Sequence, residues 1–209
     1  MTDHGRAAAV PAAERNREPI RDVLSSLPVL AATTPADGLL EVASGFGVHA
    51  LFVSPSLPLT WQPTELTHEA VEALRSATRD AARIKPAVLL DASSPPEQWP
   101  TWPEGGYACV LAINVTHISR WEVTLGLLHG AAFVLKPGGL LCIYGPFFLA
   151  DRPTAPSNLA FDENLRARDP SWGLRSVEAV SEAALAVGLK FDQARDLPAN
   201  NLFLIFSKK

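Results

Sequence analysis

Short apolar runs alternate with stretches of helical periodicity along most of the chain. Uninterrupted apolar runs are typical of strands in a parallel sheet, because helices cover both faces of such a sheet. The predicted strands cover residues 39–43, 57–61, 87–90, 107–113, 140–144, 189–195 and 201–206. The predicted helices cover residues 48–53, 64–83, 119–135 and 176–187. The pattern therefore predicts an α/β fold with a doubly wound, largely parallel sheet.

Two segments depart from this alternation. The last two predicted strands are separated only by residues 197–200, and a loop this short joins antiparallel neighbours, so the sheet should end with a reversed strand. Residues 147–173 contain Pro153, Pro156 and Pro170 and predict a long irregular insert. Because structureless inserts of this length are usually functional or disordered, we expect this one to cover a substrate pocket as a lid.

Composition restricts the class of protein. The 209 residues are 47% hydrophobic and 19% charged, which suits one domain over residues 1–209, with residues 1–36 as an N-terminal helical arm. The net charge of −4, without a basic block, disfavours general nucleic-acid binding. No apolar run reaches membrane-helix length, and no signal peptide is visible. Cys109 and Cys142 predict reduced core residues of a cytoplasmic protein, and no His or Cys spacing predicts a metal site.

A glycine loop, Ser44-Gly45-Phe46-Gly47, follows the first predicted strand. Its glycines allow a sharp turn and a close ligand approach, although a plain strand-to-helix turn has the same pattern. The loop also fits the dinucleotide fingerprint. However, Glu41 would lie near the pyrophosphate, and no second domain is visible for an oxidoreductase substrate. S-adenosylmethionine fits better, because it has no phosphate and its sulfonium and amino groups favour a carboxylate.

Polar residues follow the other predicted strands near the same edge of the sheet. Glu65 comes 18 residues after Gly47, close to the spacing of an acidic ribose ligand, although a glutamate in the first turn of a helix is an equally good interpretation. Asp91 follows the third strand and is a candidate for the adenine amino group or for a simple turn. Asn114 ends the fourth strand, where a side chain would face the reacting centre. Together with the glycine loop these residues predict a cofactor site.

Further segments carry a resemblance over nearly the whole chain. They are Glu14-Arg15-Asn16, Glu41-Val-Ala-Ser-Gly45-Phe-Gly47, Trp61-Gln-Pro-Thr-Glu65, Asn114-Val-Thr-His117, Lys136-Pro137-Gly138-Gly139, Tyr144-Gly145-Pro146, Ser157-Asn158, Phe161-Asp162, Trp172-Gly173-Leu174-Arg175 and Pro198-Ala199-Asn200-Asn201. With these segments the chain resembles the class I S-adenosylmethionine-dependent methyltransferase superfamily. It resembles more closely the methyltransferase-like protein twenty-six family, which is catalogued as a domain of unknown function.

The resemblance implies a three-layer, Rossmann-like methyltransferase fold whose seven-stranded, mostly parallel sheet has an antiparallel last strand. It also implies S-adenosylmethionine as cofactor. The residues expected to bind it are Arg15, Asn16, Glu41, Ala43, Gly45, Gly47, His49, Glu65, Asp91 and Asn114. The resemblance supplies no substrate.

Several residues are candidates for catalysis or substrate binding, each with an alternative structural role. Asn114, His117 and Tyr144 are the catalytic candidates, with His117 as a general base or as a hydrogen-bonded structural histidine. Asn158, Asp162, Arg166 and Trp172 lie in the insert and, with Tyr144, are the substrate-binding candidates. Asp162 and Arg166 are four residues apart and would also suit a helical ion pair.

The leading hypothesis is an S-adenosylmethionine-dependent methyltransferase acting on an unidentified small molecule. A non-catalytic module that binds the cofactor for regulation or scaffolding is the alternative, and a nicotinamide-dependent oxidoreductase is disfavoured. An Asn-Pro-Pro-aromatic signature is missing at residues 114–117, which disfavours amide or adenine amino-group methylation of the kind that uses it. The sequence predicts no nucleic-acid or membrane partner and leaves the oligomeric state open.

Overall fold

The computed structural model describes the backbone of residues 3–209 and the side chains from residue 11 onward. A seven-stranded sheet lies at its centre, in the order β3-β2-β1-β4-β5-β9-β8. Its strands are β1 (Gly38–Val42), β2 (Thr60–Glu65), β3 (Val88–Leu89), β4 (Tyr107–Ile113), β5 (Leu135–Gly145), β8 (Leu189–Leu197) and β9 (Asn201–Lys208). The first five are parallel, whereas β9 is antiparallel to both of its neighbours, β5 and β8. The predicted mixed sheet with a reversed last strand is confirmed.

Helices cover both faces of the sheet. They are α1 (Asp3–Ser26), α2 (Pro28–Ala31), α3 (Val48–Val53), α4 (His68–Thr78), α5 (Trp121–Val134), α6 (Pro156–Arg168) and α7 (Val177–Ala186). Neighbouring residues of β1 point to opposite faces: Leu39 joins the core beneath α1 and α3, and Leu40 joins the core beneath α5 and α7. Burial on both faces explains why β4 is apolar without interruption and why β1 is buried along its whole length, Glu41 included.

The structure corrects the predicted insert. Residues 147–173 are not irregular, since they contain β6 (Phe147–Phe148) and the thirteen-residue α6, and β6 pairs with β7 (Arg175–Ser176). Pro156 occupies the first helical position, where its missing N–H and fixed φ favour a helix rather than break it. Pro170 lies just beyond the helix end. The prolines therefore delimit a helix instead of marking a loop.

The boundaries of β2, α4 and β5 also differ from the prediction. β2 is displaced along the chain and includes Thr64, so α4 begins only at His68, with the hydroxyl of Thr67 accepting a hydrogen bond from the Ala70 N–H (3.2 Å). Residues 136–139 end α5 as expected but belong to β5. Cys109 and Cys142 are free and buried in the sheet. Within residues 3–209, no helix is long and apolar enough to cross a bilayer.

Candidate cofactor and catalytic site

The glycine loop lies at the carboxyl end of β1 and is held in a single shape. Ala43, Gly45 and Gly47 have φ values of 56°, 59° and 75°, so the backbone turns through left-handed conformations three times before α3 begins. Ser44 fixes the loop to β2: its N–H donates to the Thr64 carbonyl (2.8 Å), and its hydroxyl accepts from the Thr64 N–H (3.2 Å). The loop therefore presents a rigid, open backbone at the edge where α/β folds bind ligands.

Glu65 connects the end of β2 to this loop. Its carboxylate accepts a short hydrogen bond from the Gly45 N–H (2.6 Å) and another from the Leu66 N–H (3.1 Å). A carboxylate has about four acceptor positions. The half-buried Glu65 therefore keeps acceptor capacity for a ligand beside the glycine loop.

Glu41 is a buried acid without a cationic partner. Its side chain is 2% exposed, and its Oε2 accepts from the Trp61 indole N–H (2.9 Å). Burial raises the pKa of Glu41 to about 7, and the charge of Glu65 acts in the same direction. His49 Nδ1 lies 4.0 Å from Oε1, but burial lowers the pKa of His49 to about 4, so this ring is neutral. Among the described residues, no lysine or arginine forms an ion pair with Glu41.

Helix α1 is joined to the site by Asn16. His49 Nε2 donates to Asn16 Oδ1 (2.7 Å), which leaves His49 Nδ1 facing Glu41 as an acceptor. Asn16 also forms a hydrogen bond with the Tyr144 hydroxyl, whose pKa is raised by burial. Tyr144 therefore lies in the core layer beneath α1. Arg15 is exposed close to it.

Asn114 and His117 lie close together at the end of β4. Asn114 has a φ of 58°, and its N–H donates to the Tyr144 carbonyl (2.9 Å). A Cβ placed on Gly145 would lie 3.2 Å from His117 Nδ1 and 3.7 Å from Asn114 Oδ1, so both side chains meet above Gly145. His117 is 4% exposed, and its Nδ1 is buried without a hydrogen-bond partner. Burial, aided by the charge of Arg175, lowers the pKa of His117 to about 4.

The structure gives the remaining candidates local partners. Asp91 is exposed, and its Oδ1 accepts from the N–H and hydroxyl of Ser93, as a turn residue would. Asp162 accepts from the Leu174 N–H (2.7 Å) and from Arg166 Nε (2.8 Å). Asp162 and Arg166 thus fix the end of the insert to α6.

Two further candidates lie at opposite ends of α6. Trp172 stacks against Arg168, with the guanidinium carbon 5.2 Å from the ring centroid. Asn158 is buried, and its Nδ2 donates to the carbonyl of Asn200 (2.9 Å) in the turn before β9. Asn158 also lines a cavity beside α6.

Sequence reasoning missed three residues that organise the site. Trp61 supplies the hydrogen bond to Glu41, and Thr64 donates from its hydroxyl to the Glu41 carbonyl (2.9 Å). Arg175 donates to the carbonyls of Thr116 (3.1 Å) and Ser119 (2.6 Å) and so holds the segment that carries His117. The resemblance contained Trp61 and Arg175, but a sequence gives no sign of which backbone carbonyl a distant arginine will reach.

Comparison with known families decides the family. Residues 7–208 match the model described as "Protein of unknown function (DUF938)". The chain belongs to the DUF938 family. The narrower resemblance to the methyltransferase-like protein twenty-six family is not tested by this match and stays a prediction.

Solved structures share the fold of this DUF938 protein at low sequence identity. An O-methyltransferase family protein from Burkholderia thailandensis superposes with a TM-score of 0.78 at 21% identity, over 100% of this chain and 61% of that one. A putative O-methyltransferase from Nostoc punctiforme gives 0.75 at 16% identity, over 97% and 59%. Human N-acetylserotonin methyltransferase, solved with S-adenosylmethionine, gives 0.73 at 16% identity, over 92% and 51%. The chain therefore has the fold of these methyltransferases and spans somewhat more than half of their length.

Proposed function

We propose that this DUF938 protein is an S-adenosylmethionine-dependent methyltransferase. The observation that carries the proposal is Glu41, a buried carboxyl without a counter-charge, beside a glycine loop whose Gly45 N–H is bound by Glu65. A cationic ligand would stabilise the ionised form of Glu41, whereas a pyrophosphate would be repelled by both acids. The fold shared with methyltransferases supports the same cofactor.

The described residues fit the cofactor part by part. Glu41 would accept from the amino group of its methionine part, and Glu65 from the ribose hydroxyls through its free acceptor positions. Ala43, Gly45 and Gly47 allow close backbone approach, since a Cβ on Gly45 would meet nothing within 4 Å. We place Asp91 near the adenine amino group, although its Oδ1 is already used by Ser93.

Helix α1 would cover the methionine end of this site. Asn16 and His49 form the hydrogen bond that fixes the helix over Glu41, and the exposed Arg15 is placed to pair with the cofactor carboxylate. We therefore propose that the arm predicted for residues 1–36, of which residues 1 and 2 lie outside the described residues, covers the cofactor within one methyltransferase domain.

The catalytic contribution of the protein would be mainly alignment. When bound, S-adenosylmethionine supplies a methyl carbon whose bond to sulfur breaks as an acceptor lone pair attacks, releasing S-adenosylhomocysteine. Asn114 and His117 would orient the acceptor above Gly145. Neutral His117 would be available to accept a hydrogen bond or the acceptor's proton, but its lowered pKa makes it a weak base. Tyr144 would act through Asn16 and α1 rather than on the acceptor.

Calorimetric titration of the full chain with S-adenosylmethionine and with S-adenosylhomocysteine tests the proposal. Glu65→Gln should weaken binding about 10- to 100-fold, because it removes a charge-assisted hydrogen bond and turns an amide donor toward a backbone N–H. Glu72→Gln on the solvent side of α4 is the matched control. If neither form of the cofactor binds wild type at millimolar concentration, the proposal is wrong.

A second candidate is a module that binds the cofactor without turnover, and the lowered pKa of buried His117 favours it. Release of S-adenosylhomocysteine in the presence of cell extract distinguishes the two. A methyltransferase loses this release in Asn114→Ala or His117→Ala, whereas a binding module shows none in wild type. We propose a small-molecule acceptor, because the net charge is −4 and the sequence has no basic block.

A further inference from the structure

A cavity of about 180 Å³ lies under the loop that leads into α6. Its walls come from the chain after β5, from α6 and from the ends of β8 and β9. The lining residues on which the argument depends are Phe147, Leu149, Arg152, Asn158, Asp196 and Leu202. The insert thus encloses space at the carboxyl edge of the sheet instead of packing solidly against it.

This cavity adjoins the place where Asn114 and His117 meet. Its wall residue Leu202 pairs with Gly145 in the ladder between β9 and β5, and paired residues on adjacent strands lie about 5 Å apart. On α6, Asn158 lines the cavity, and Phe161, one turn later, contacts the His117 ring with centroids 5.6 Å apart. The cavity wall is therefore one strand from Gly145 and one helical turn from the residue that contacts His117.

Five apolar residues line the cavity, and Asn158 adds an uncharged polar group. Phe147 and Leu202 are buried, and Leu149, Pro153 and Ala155 add further apolar surface. Asn158 is more than nine-tenths buried and uses one amide hydrogen on the Asn200 carbonyl (2.9 Å), which leaves amide groups able to bond a hydroxyl or carbonyl.

The charges of the lining neutralise each other. Of the lining residues that the structure describes, only Arg152 and Asp196 are charged, and they form an exposed ion pair with two contacts, one of them Arg152 Nη1 to Asp196 Oδ2 (3.1 Å). A charged occupant would either lack a counter-ion or have to break this pair.

We propose that this cavity is the acceptor subsite and that the acceptor is a small, uncharged, largely apolar molecule with a hydroxyl or carbonyl group. The inference rests on the proposed methyltransferase function. The walls favour the apolar body, Asn158 offers its amide to the polar group, and with Arg152 and Asp196 paired the lining offers no free charge to an anion or a cation.

Ligand titrations followed by NMR of the leucine methyl groups test this without a known substrate. Phenol is the probe, and benzoate and benzylamine are charged molecules of similar size. We expect phenol to shift the Leu149 and Leu202 methyl signals and to bind at least about tenfold more tightly than either charged molecule, since an unpaired charge is costly to bury.

Ala155→Trp fills the cavity from a partly exposed position before α6, and Ala160→Trp makes the same change on the exposed side of that helix. Ala155→Trp should lose phenol binding, while Ala160→Trp keeps it, and both should bind S-adenosylhomocysteine as wild type does. Equal binding of phenol by the two variants, equal affinity for benzoate, or no shift of the two leucines would overturn the subsite. If wild type does not bind the cofactor at all, the proposed function is wrong, whatever the result with phenol.

Discussion

Glu41 makes the stability of this protein depend on pH in a direction opposite to that of ordinary acids. The pKa of its carboxyl is raised from 4.5 to about 7 by burial, only partly offset by hydrogen bonds from Trp61 and Ser44. Between pH 4.5 and about 7, the folded protein therefore keeps a proton on Glu41 that the unfolded chain has already released. Stability from this group is fully present below pH 4.5 and is lost as the pH rises through about 7.

The magnitude follows from the two pKa values. Each pKa unit corresponds to about 1.4 kcal/mol, so ionised Glu41 costs about 3 kcal/mol of the free energy of unfolding, of which about 2–3 kcal/mol is lost between pH 5 and 8. His49 and His117 act oppositely in an overlapping range, because burial lowers the pKa of each to about 4 and so favours folding as the pH rises. Because two histidines oppose one glutamate, the pH dependence of wild type alone would not isolate the contribution of Glu41.

Comparison with Glu41→Gln isolates the effect. We expect the difference in free energy of unfolding between Glu41→Gln and wild type, measured by urea denaturation without cofactor, to move by about 2–3 kcal/mol in favour of the variant from pH 5 to 8. Glu104→Gln is the same change at an exposed position and serves as the control. A difference that stays constant with pH in Glu41→Gln would show that Glu41 is ionised throughout and that the reasoning about its burial is wrong.

Four other results are expected. S-adenosylmethionine affinity should fall below pH 7 as Glu41 takes up its proton, a dependence that calorimetry should find absent in Glu41→Gln. Gly47→Ala should lower stability to urea more than Gly45→Ala, by about 1 kcal/mol, because both have positive φ but only the Gly47 Cβ would approach a side chain closely, Leu74 Cδ1 at 2.9 Å. The NMR titration midpoint of His117 should lie near pH 4 and rise in Arg175→Met. Asp162→Ala should destabilise the chain by about 1–3 kcal/mol, because the N–H of buried Leu174 would lose its hydrogen-bond acceptor.

The fold could be predicted because its determinants are local and repeated. The run ending at Ile113 is apolar on both faces, and the short connection between residues 197 and 201 leaves only an antiparallel arrangement. The insert was mispredicted because a proline is common both in loops and at the first position of a helix. Whether the residues after Pro156 form a helix depends on what α6 packs against, which the sequence does not show.

Neighbouring parallel strands bring their carboxyl ends together, so Glu65 could be expected at the same edge as the glycine loop. The structure joins Glu65 to the Gly45 N–H by a 2.6 Å hydrogen bond that the sequence did not predict. Tyr144 faces α1 rather than Asn114, which depends on strand alternation that the sequence pattern alone did not reveal. The Asp162 and Arg166 pair was recognisable from helical spacing, but its bond to Leu174 joins residues twelve apart through a turn that no local pattern specifies.

The two non-glycine residues in left-handed conformation beside the site, Ala43 and Asn114, end the adjacent central strands β1 and β4. An alanine in this conformation costs about 1–2 kcal/mol relative to an ordinary backbone geometry. Replacing Ala43 by glycine would recover much of that strain in the folded state, yet it would also loosen the turn that aims the Gly45 N–H at Glu65. Directed evolution for thermal stability alone would thus accept glycine at residue 43, whereas selection for cofactor affinity would retain alanine.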